Sequence, residues 1–198
     1  MVTPEKAITM DLETSNNSNS NSNSSTDSNN TSSKMTSFLP LKKRWNLWAH
    51  LPQDSDWSTK SYKQIYTFTT VEETIAITES LPDPLIKNCM LFIMQEGIIP
   101  MWEDPKNRHG GCFSYKVSNK NVCDVWRELT YMLVGESVSN NVLFVNAVTG
   151  ITISPKKNFC IVKIWMTSCD HQNPGIVTTD INWLVSQGCL FKKHSPEF

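Results

Sequence analysis

The stretch "SNNSNSNSNSSTDSNNTSS" at residues 15–33 contains only Ser, Asn and Thr apart from Asp27. A segment with nothing to bury cannot offset the entropy lost on ordering. Residues 1–36 therefore read as a disordered tail, and whatever folds must fold from residues 37–198. All seven tryptophans lie in that second part: Trp45, Trp48, Trp57, Trp102, Trp126, Trp165 and Trp183. Its length suits one domain. The formal net charge of the whole chain is -1. No global field then draws the chain to nucleic acid or to a membrane surface, and any anion site has to be built locally. The six cysteines are scattered, without C-x-x-C pairs or Cys/His ligand spacing. That argues against a zinc module or a disulfide scaffold and for free thiols in a reducing compartment. No apolar run approaches the roughly 18 residues that span a bilayer, and the N-terminus lacks the basic and apolar regions of a signal peptide. The expectation is a cytoplasmic monomer with no membrane contact, no metal and no cofactor.

Patterning beyond residue 37 is mixed. "LKKRWNLWAHL" and "YKQIYTF" alternate like half-buried strands. "TVEETIAITESL" opens on Thr70 with Glu73 three residues on, a capping box that predicts a helix. "CMLFIMQEG" is an apolar run ended by Gly97, and "GCFSYKV" is another short strand. In "NVCDVWRELTYMLVGE" Val122, Val125, Trp126, Leu129 and Leu133 form one helical stripe, with Gly135 at the C-terminal cap. "GITIS" and "CIVKIWMT" pair as a hairpin around "PKKNF". "TTDINWLVSQG" reads as a third helix, and "CLFKK" as a last strand. Runs of strands interrupted by three helices predict an α+β fold, an antiparallel sheet with helices on one face.

Residues 100–111, "PMWEDPKNRHGG", hold a tryptophan, two carboxylates, a basic cluster and a Gly-Gly pair. With "RWNLW" at 44–48, Trp57, "VEE" at 71–73, "GIIPMWEDPKNRHGG" at 97–111, "GES" at 135–137 and "KIWMTSC" at 163–169, the chain resembles the eukaryotic mRNA cap-binding translation initiation factor family. The resemblance runs from about Pro40 to Phe191. It implies a curved antiparallel sheet with three helices on its convex back and a cap-binding palm on the concave face.

The resemblance also implies a ligand and a set of roles. A 7-methylguanine base would stack between Trp57 and Trp102, where its delocalised positive charge meets two π faces. Glu103 would accept both donors of the guanine edge, a charge-assisted bidentate pair. Trp165 would lie near the methyl group or simply pack the core. Phosphates would meet Lys156 and Lys163, with Lys157 and Arg108 as weaker candidates. Here the chain departs from the family: Cys112 and Ile161 stand where basic residues are usual. Lys163 shares a strand face with Ile161 and Trp165 and is expected to substitute. Asp104 reads as a turn carboxylate. Trp45, Trp48, Trp126 and Trp183 read as packing residues.

The helical back would receive a scaffold or regulator peptide carrying a tyrosine and, after four intervening residues, a leucine. Pro40, Val71, Ile75, Arg127, Glu128 and Tyr131 would form that surface. Ile75 replaces a tryptophan, and Arg127 and Tyr131 replace leucines, so a divergent or weakened partner is expected. The function implied is capture of capped mRNA, with 7-methyl-GTP as ligand analogue and no catalysis. Recruitment to translation initiation and cap-binding repression both fit such a pocket. An aromatic-cage reader of methylated ammonium and an acid/base enzyme using Glu103 and Asp104 are the rivals from other classes.

Overall fold

The computed structural model describes residues 37–178 and 180–197. The tail expected over residues 1–36 lies outside the described residues. Among the described residues there are seven strands: β1 (Pro40–His50), β2 (Tyr62–Thr70), β3 (Met90–Gln95), β4 (Gly111–Ser118), β5 (Val148–Pro155), β6 (Phe159–Met166) and β7 (Leu190–Lys193). They form one antiparallel sheet in the order β2-β1-β3-β5-β6-β4-β7. Four α-helices among the described residues join them: α1 (Val71–Ser80), α2 (Asp83–Asn88), α3 (Val122–Val134) and α4 (Val142–Ala147). No helix among the described residues is long and apolar enough to cross a membrane.

Alternation along the strands separates the two faces of the sheet. Trp45, Leu47 and Ala49 of β1, Leu91 and Ile93 of β3, and Val162, Ile164 and Met166 of β6 join one core. Ile86, Val125, Trp126, Leu129, Leu133 and Phe144 bring α2, α3 and α4 into that same core. Each large side chain buried there contributes about 1.5–3 kcal/mol, so this layer carries most of the stability. The intervening residues Phe92, Met94, Cys112 and Trp165 form a second, smaller cluster on the opposite face, with Trp48, Tyr62, Met90 and Trp102 packed against it.

Local signals explain where the first helix begins and where the third ends. The Thr70 hydroxyl accepts from the Glu73 backbone, and the Glu73 carboxylate accepts from the Thr70 backbone, completing the expected capping box. Helix α3 ends at Gly135, whose N–H reaches the Tyr131 carbonyl. The left-handed conformation falls one residue later, on Glu136 at φ 56°. Its carboxylate is held by Lys42 at 3.2 Å and Lys43 at 3.1 Å.

Two corrections concern helices and one a tryptophan. The helix expected in "TTDINWLVSQG" does not form; described residues 181–188 make turns and irregular chain. Trp183 adopts φ 68°, which a right-handed helix cannot accommodate. Ile181 and Leu184 are both buried, and the turn bond from Leu184 N–H to the Ile181 carbonyl satisfies the pair without further helix. Trp183 is consequently 61% exposed and lies outside both hydrophobic clusters. Helices α2 and α4 replace it on the back of the sheet. At six residues each they are too short to show a periodicity.

Candidate functional site

Two loops bring the site together over the face opposite the helices. The first follows β1. His50 Nε2 lies 2.8 Å from the Asp56 carbonyl oxygen, and the Asp56 carboxylate accepts from the Ser58 N–H at 2.7 Å and its hydroxyl at 2.8 Å. Those bonds, the backbone one first, hold the Asp56 carboxyl below its usual range. Trp57, between these two residues, stacks on His50 with ring centroids 4.1 Å apart and planes within 7°. Its indole remains 54% exposed.

The second loop, 96–110, is wound around Asn107. This side chain is fully buried; its amide donates to the Ile99 and Met101 carbonyls at 3.1 and 2.9 Å, and its oxygen accepts from Thr149 at 2.9 Å. Asp104 caps the same turn, accepting from the Ile99 and Lys106 backbones, which agrees with its reading as a turn carboxylate. The Gly-Gly pair closes the loop against neighbouring strands. A Cβ on Gly110 would strike the Met166 carbonyl, and one on Gly111 the Phe191 ring.

Between the loops lies a cleft of about 520 Å³, within the size range of small-molecule sites. Trp57, Trp102, Glu103, Lys156, Lys163 and Trp165 all line it, with Tyr62, Phe92 and Met101 among its apolar walls. Trp165 is nearly fully buried and forms floor rather than wall. The weaker phosphate candidates do not reach the cleft. Lys157 is exposed beyond Lys156 in the β5–β6 turn, and Arg108 is exposed at the far end of the 104–108 turn. Sequence proximity places neither, because successive residues of a tight turn diverge.

Trp102 has two further neighbours from β7 and the residue after it. His194 stacks on it at 5.6 Å and 18°, and the Lys192 ammonium lies 4.9 Å from its ring centroid. His194 Nδ1 sits 2.7 Å from the Asn107 carbonyl oxygen. Burial is the main reason its pKa is lowered, partly opposed by the Asn107 bond, so the ring is kept neutral. The roles of His50, His194 and Asn107 were missed in the sequence. Each acts on a residue distant in the chain, and no local motif marks them.

The electrostatics are divided. Burial lowers the Lys163 pKa; the Cys112 side chain opposes this, and Lys192 and Lys156 add to it. Burial, then the Glu103 charge, pushes the Tyr62 phenol up to about 12, so it stays protonated. Glu103 Oε1 accepts from the Glu197 N–H at 3.3 Å.

On the helical side, a groove of about 460 Å³ is lined by Pro40, Leu41, Lys42, Val71, Thr74, Ile75, Glu79, Tyr131, Val134, Gly135 and Glu136. Four expected residues, Pro40, Val71, Ile75 and Tyr131, meet there. Arg127 and Glu128 do not line it. Arg127, expected on this surface, turns instead to Glu79, Asp83 and Asp124 at 3.4–3.5 Å, and the charged residues at the groove are Lys42, Glu79 and Glu136. Tyr131 donates to Glu79 at 2.6 Å, which keeps its hydroxyl at the rim.

The sequence profile described as Eukaryotic initiation factor 4E matches residues 40–193. The chain belongs to the eukaryotic initiation factor 4E family. Initiation factor 4E of Candida albicans is 33% identical over 144 residues, covering 67% of this chain and 66% of that protein. Initiation factor 4E-2 of Schizosaccharomyces pombe is 30% identical over 142 residues, covering 68% and 56%. The chain thus spans somewhat less than two thirds of these initiation factor 4E relatives. Caenorhabditis elegans eIF4E-3, solved with the 4E-binding protein Mextli and cap analog, superposes with TM-score 0.64 at 21% identity, covering 82% of this chain and 99% of that one. Ascaris suum eIF4E-3, solved with the m7G cap, gives TM-score 0.63 at 22% identity, covering 82% and 94%. At such identities these two establish a shared overall fold.

Proposed function

We propose that the cleft binds the 7-methylguanosine 5′ cap of messenger RNA and that the protein recruits capped messages to translation initiation, without turnover. The observation that carries this is the convergence of two loop-borne indoles, Trp57 and Trp102, with Glu103 and two lysines in one cleft. A base stacked between the indoles gains roughly 1–3 kcal/mol per aromatic contact, and the positive charge of the methylated ring adds cation–π attraction. Glu103 accepts from the two donors of the guanine edge, taking over from the Glu197 N–H that now reaches it. The Trp102 N–H donates to the guanine carbonyl oxygen. Lys156 and Lys163 receive the phosphates, and Trp165 floors the base.

The cap complexes of the Ascaris suum relative, with m7G and with m2,2,7G, support the same ligand class. The rival methyl-ammonium cage is disfavoured by Lys156 and Lys163, which would repel a second cation. An acid/base role for adjacent carboxylates is disfavoured because Asp104 is spent on capping its turn.

The groove on the helical side is proposed as the seat of an amphipathic helical segment from a scaffold or regulator, a helix-in-groove contact. With Arg127 tied to its carboxylates, the smaller Ile75 is the remaining reason for a weak grip on the tyrosine–leucine motif. Retention on 7-methyl-GTP resin, with release by 7-methyl-GTP but not by GTP, tests the cap reading. Equal release by both nucleotides would overturn it. Incubation with a capped dinucleotide should yield no product.

A further inference from the structure

The cleft as lined has too little positive charge for a triphosphate. Its lining contains two lysines, Lys156 and Lys163, and two carboxylates, Glu103 and Glu197. A methylated base offsets one carboxylate, which leaves two cations against three phosphates and Glu197. We propose that Lys192, on the edge strand β7, is the third phosphate-binding cation of this site and fills the place left by Cys112. This rests on the cap reading above.

The register of the sheet brings Lys192 to the site. Strand β7 pairs with β4 so that Cys112 and Lys192 are direct neighbours, and β4 pairs with β6 so that Ser114 lies opposite Lys163. Alternation sends Phe191 into the helical core and puts Lys192 on the opposite face with His194. The ammonium does not itself line the cleft, but it lies 4.9 Å from the ring centroid of Trp102, which does. Among the described residues no carboxylate forms a salt bridge with Lys156, Lys163 or Lys192. Lys192 and Lys156 both act on the buried Lys163 charge, so the three cations share one field. Like charges gathered without a direct ion-pair partner are relieved by an anion between them. The neighbouring Lys193 follows the opposite alternation and serves as an internal control.

The test is a fluorescence titration of the full chain with 7-methyl-GTP and with 7-methylguanosine, for wild type, Lys192→Ala, Lys192→Arg, Lys192→Glu and Lys193→Ala. Lys192→Ala should weaken 7-methyl-GTP binding about tenfold, the scale of one charge-assisted contact, and make its salt dependence shallower. Nucleoside affinity should stay within about twofold, Lys192→Arg should restore triphosphate binding, and Lys192→Glu should weaken it further. Lys193→Ala should behave as wild type. Parallel losses for nucleoside and triphosphate would overturn the assignment, because Lys192 would then act only by positioning Trp102. Unchanged triphosphate affinity in Lys192→Ala, with normal binding by wild type, would overturn it alone. A folded wild type that binds neither ligand would overturn the cap reading and this assignment together.

Discussion

The cleft and the helical groove occupy opposite faces of one sheet, yet they are built in different ways. The cleft takes its reactive walls from loops, and each indole is backed by a histidine: His50 behind Trp57 and His194 behind Trp102. The groove takes its walls from regular elements, β1, α1 and α3, and its lining is largely apolar. Charges near the groove are consumed internally, by the Arg127, Glu79, Asp83 and Asp124 cluster and by the pairing of Glu136 with Lys42 and Lys43. Charges in the cleft are left facing the space a ligand would enter. Selectivity for a polar, charged ligand requires preorganised groups with unspent hydrogen bonds. Burial of an apolar helix face requires only shape and surface. Such a division lets the two sites be broken separately.

The largest effect is expected in the cleft. Trp57→Ala and Trp102→Ala should each cost binding of 7-methyl-GTP toward the upper end of roughly 1–3 kcal/mol, with no change in peptide affinity at the groove. Fluorescence quenching and circular dichroism together check this. Near-normal retention by a natively folded variant would remove the sandwich. The mirror experiment is Ile75→Asp, which should weaken a tyrosine–leucine helical peptide by about 2 kcal/mol in calorimetry and leave cap affinity intact. Loss of both activities would mean that the two faces are coupled through the sheet.

Glu103→Gln exchanges a charged acceptor for a neutral amide and should weaken 7-methyl-GTP by about 1.5 kcal/mol. Its discrimination against 7-methyl-inosine triphosphate, which lacks one edge donor, should fall in the same titration. An unchanged preference would place base reading elsewhere.

The smallest effect concerns the support of Trp102. Burial lowers the His194 pKa below its ordinary 6.5, so the unfolded chain binds a proton that the folded chain refuses. Stability contributed by this group is full above about pH 6.5 and falls as pH drops toward the folded value, by at most about 1.4 kcal/mol per pH unit. His194→Gln should flatten that slope in urea unfolding between pH 7.5 and 5.5. A slope unchanged from wild type would show that another group titrates there. No comparable dependence is expected from the groove, whose lining contains no histidine.

Local chemistry was enough to read much of this protein from its sequence. The Thr70 capping box, the α3 stripe and the period-two strands depend on residues within a few positions of each other, and each took the form expected; Trp102 and its neighbour Glu103 line one cleft. Six-residue helices gave no periodic signal, and the i, i+3 pair Ile181 and Leu184 was compatible with a turn as well as a helix, so α2, α4 and the 181–188 segment were decided by packing. The basic residues divided in the same way. Strand alternation was sufficient to place Lys163 beside Trp165, whereas Lys157 and Arg108 on turns, and Arg127 among distant carboxylates, had no such constraint. His50, Asn107, Lys192 and His194 entered the site through contacts with residues far away in sequence. Side-chain direction within one strand follows from covalent geometry and is written locally; which strand lies next to which is settled only when the whole sheet closes over its core.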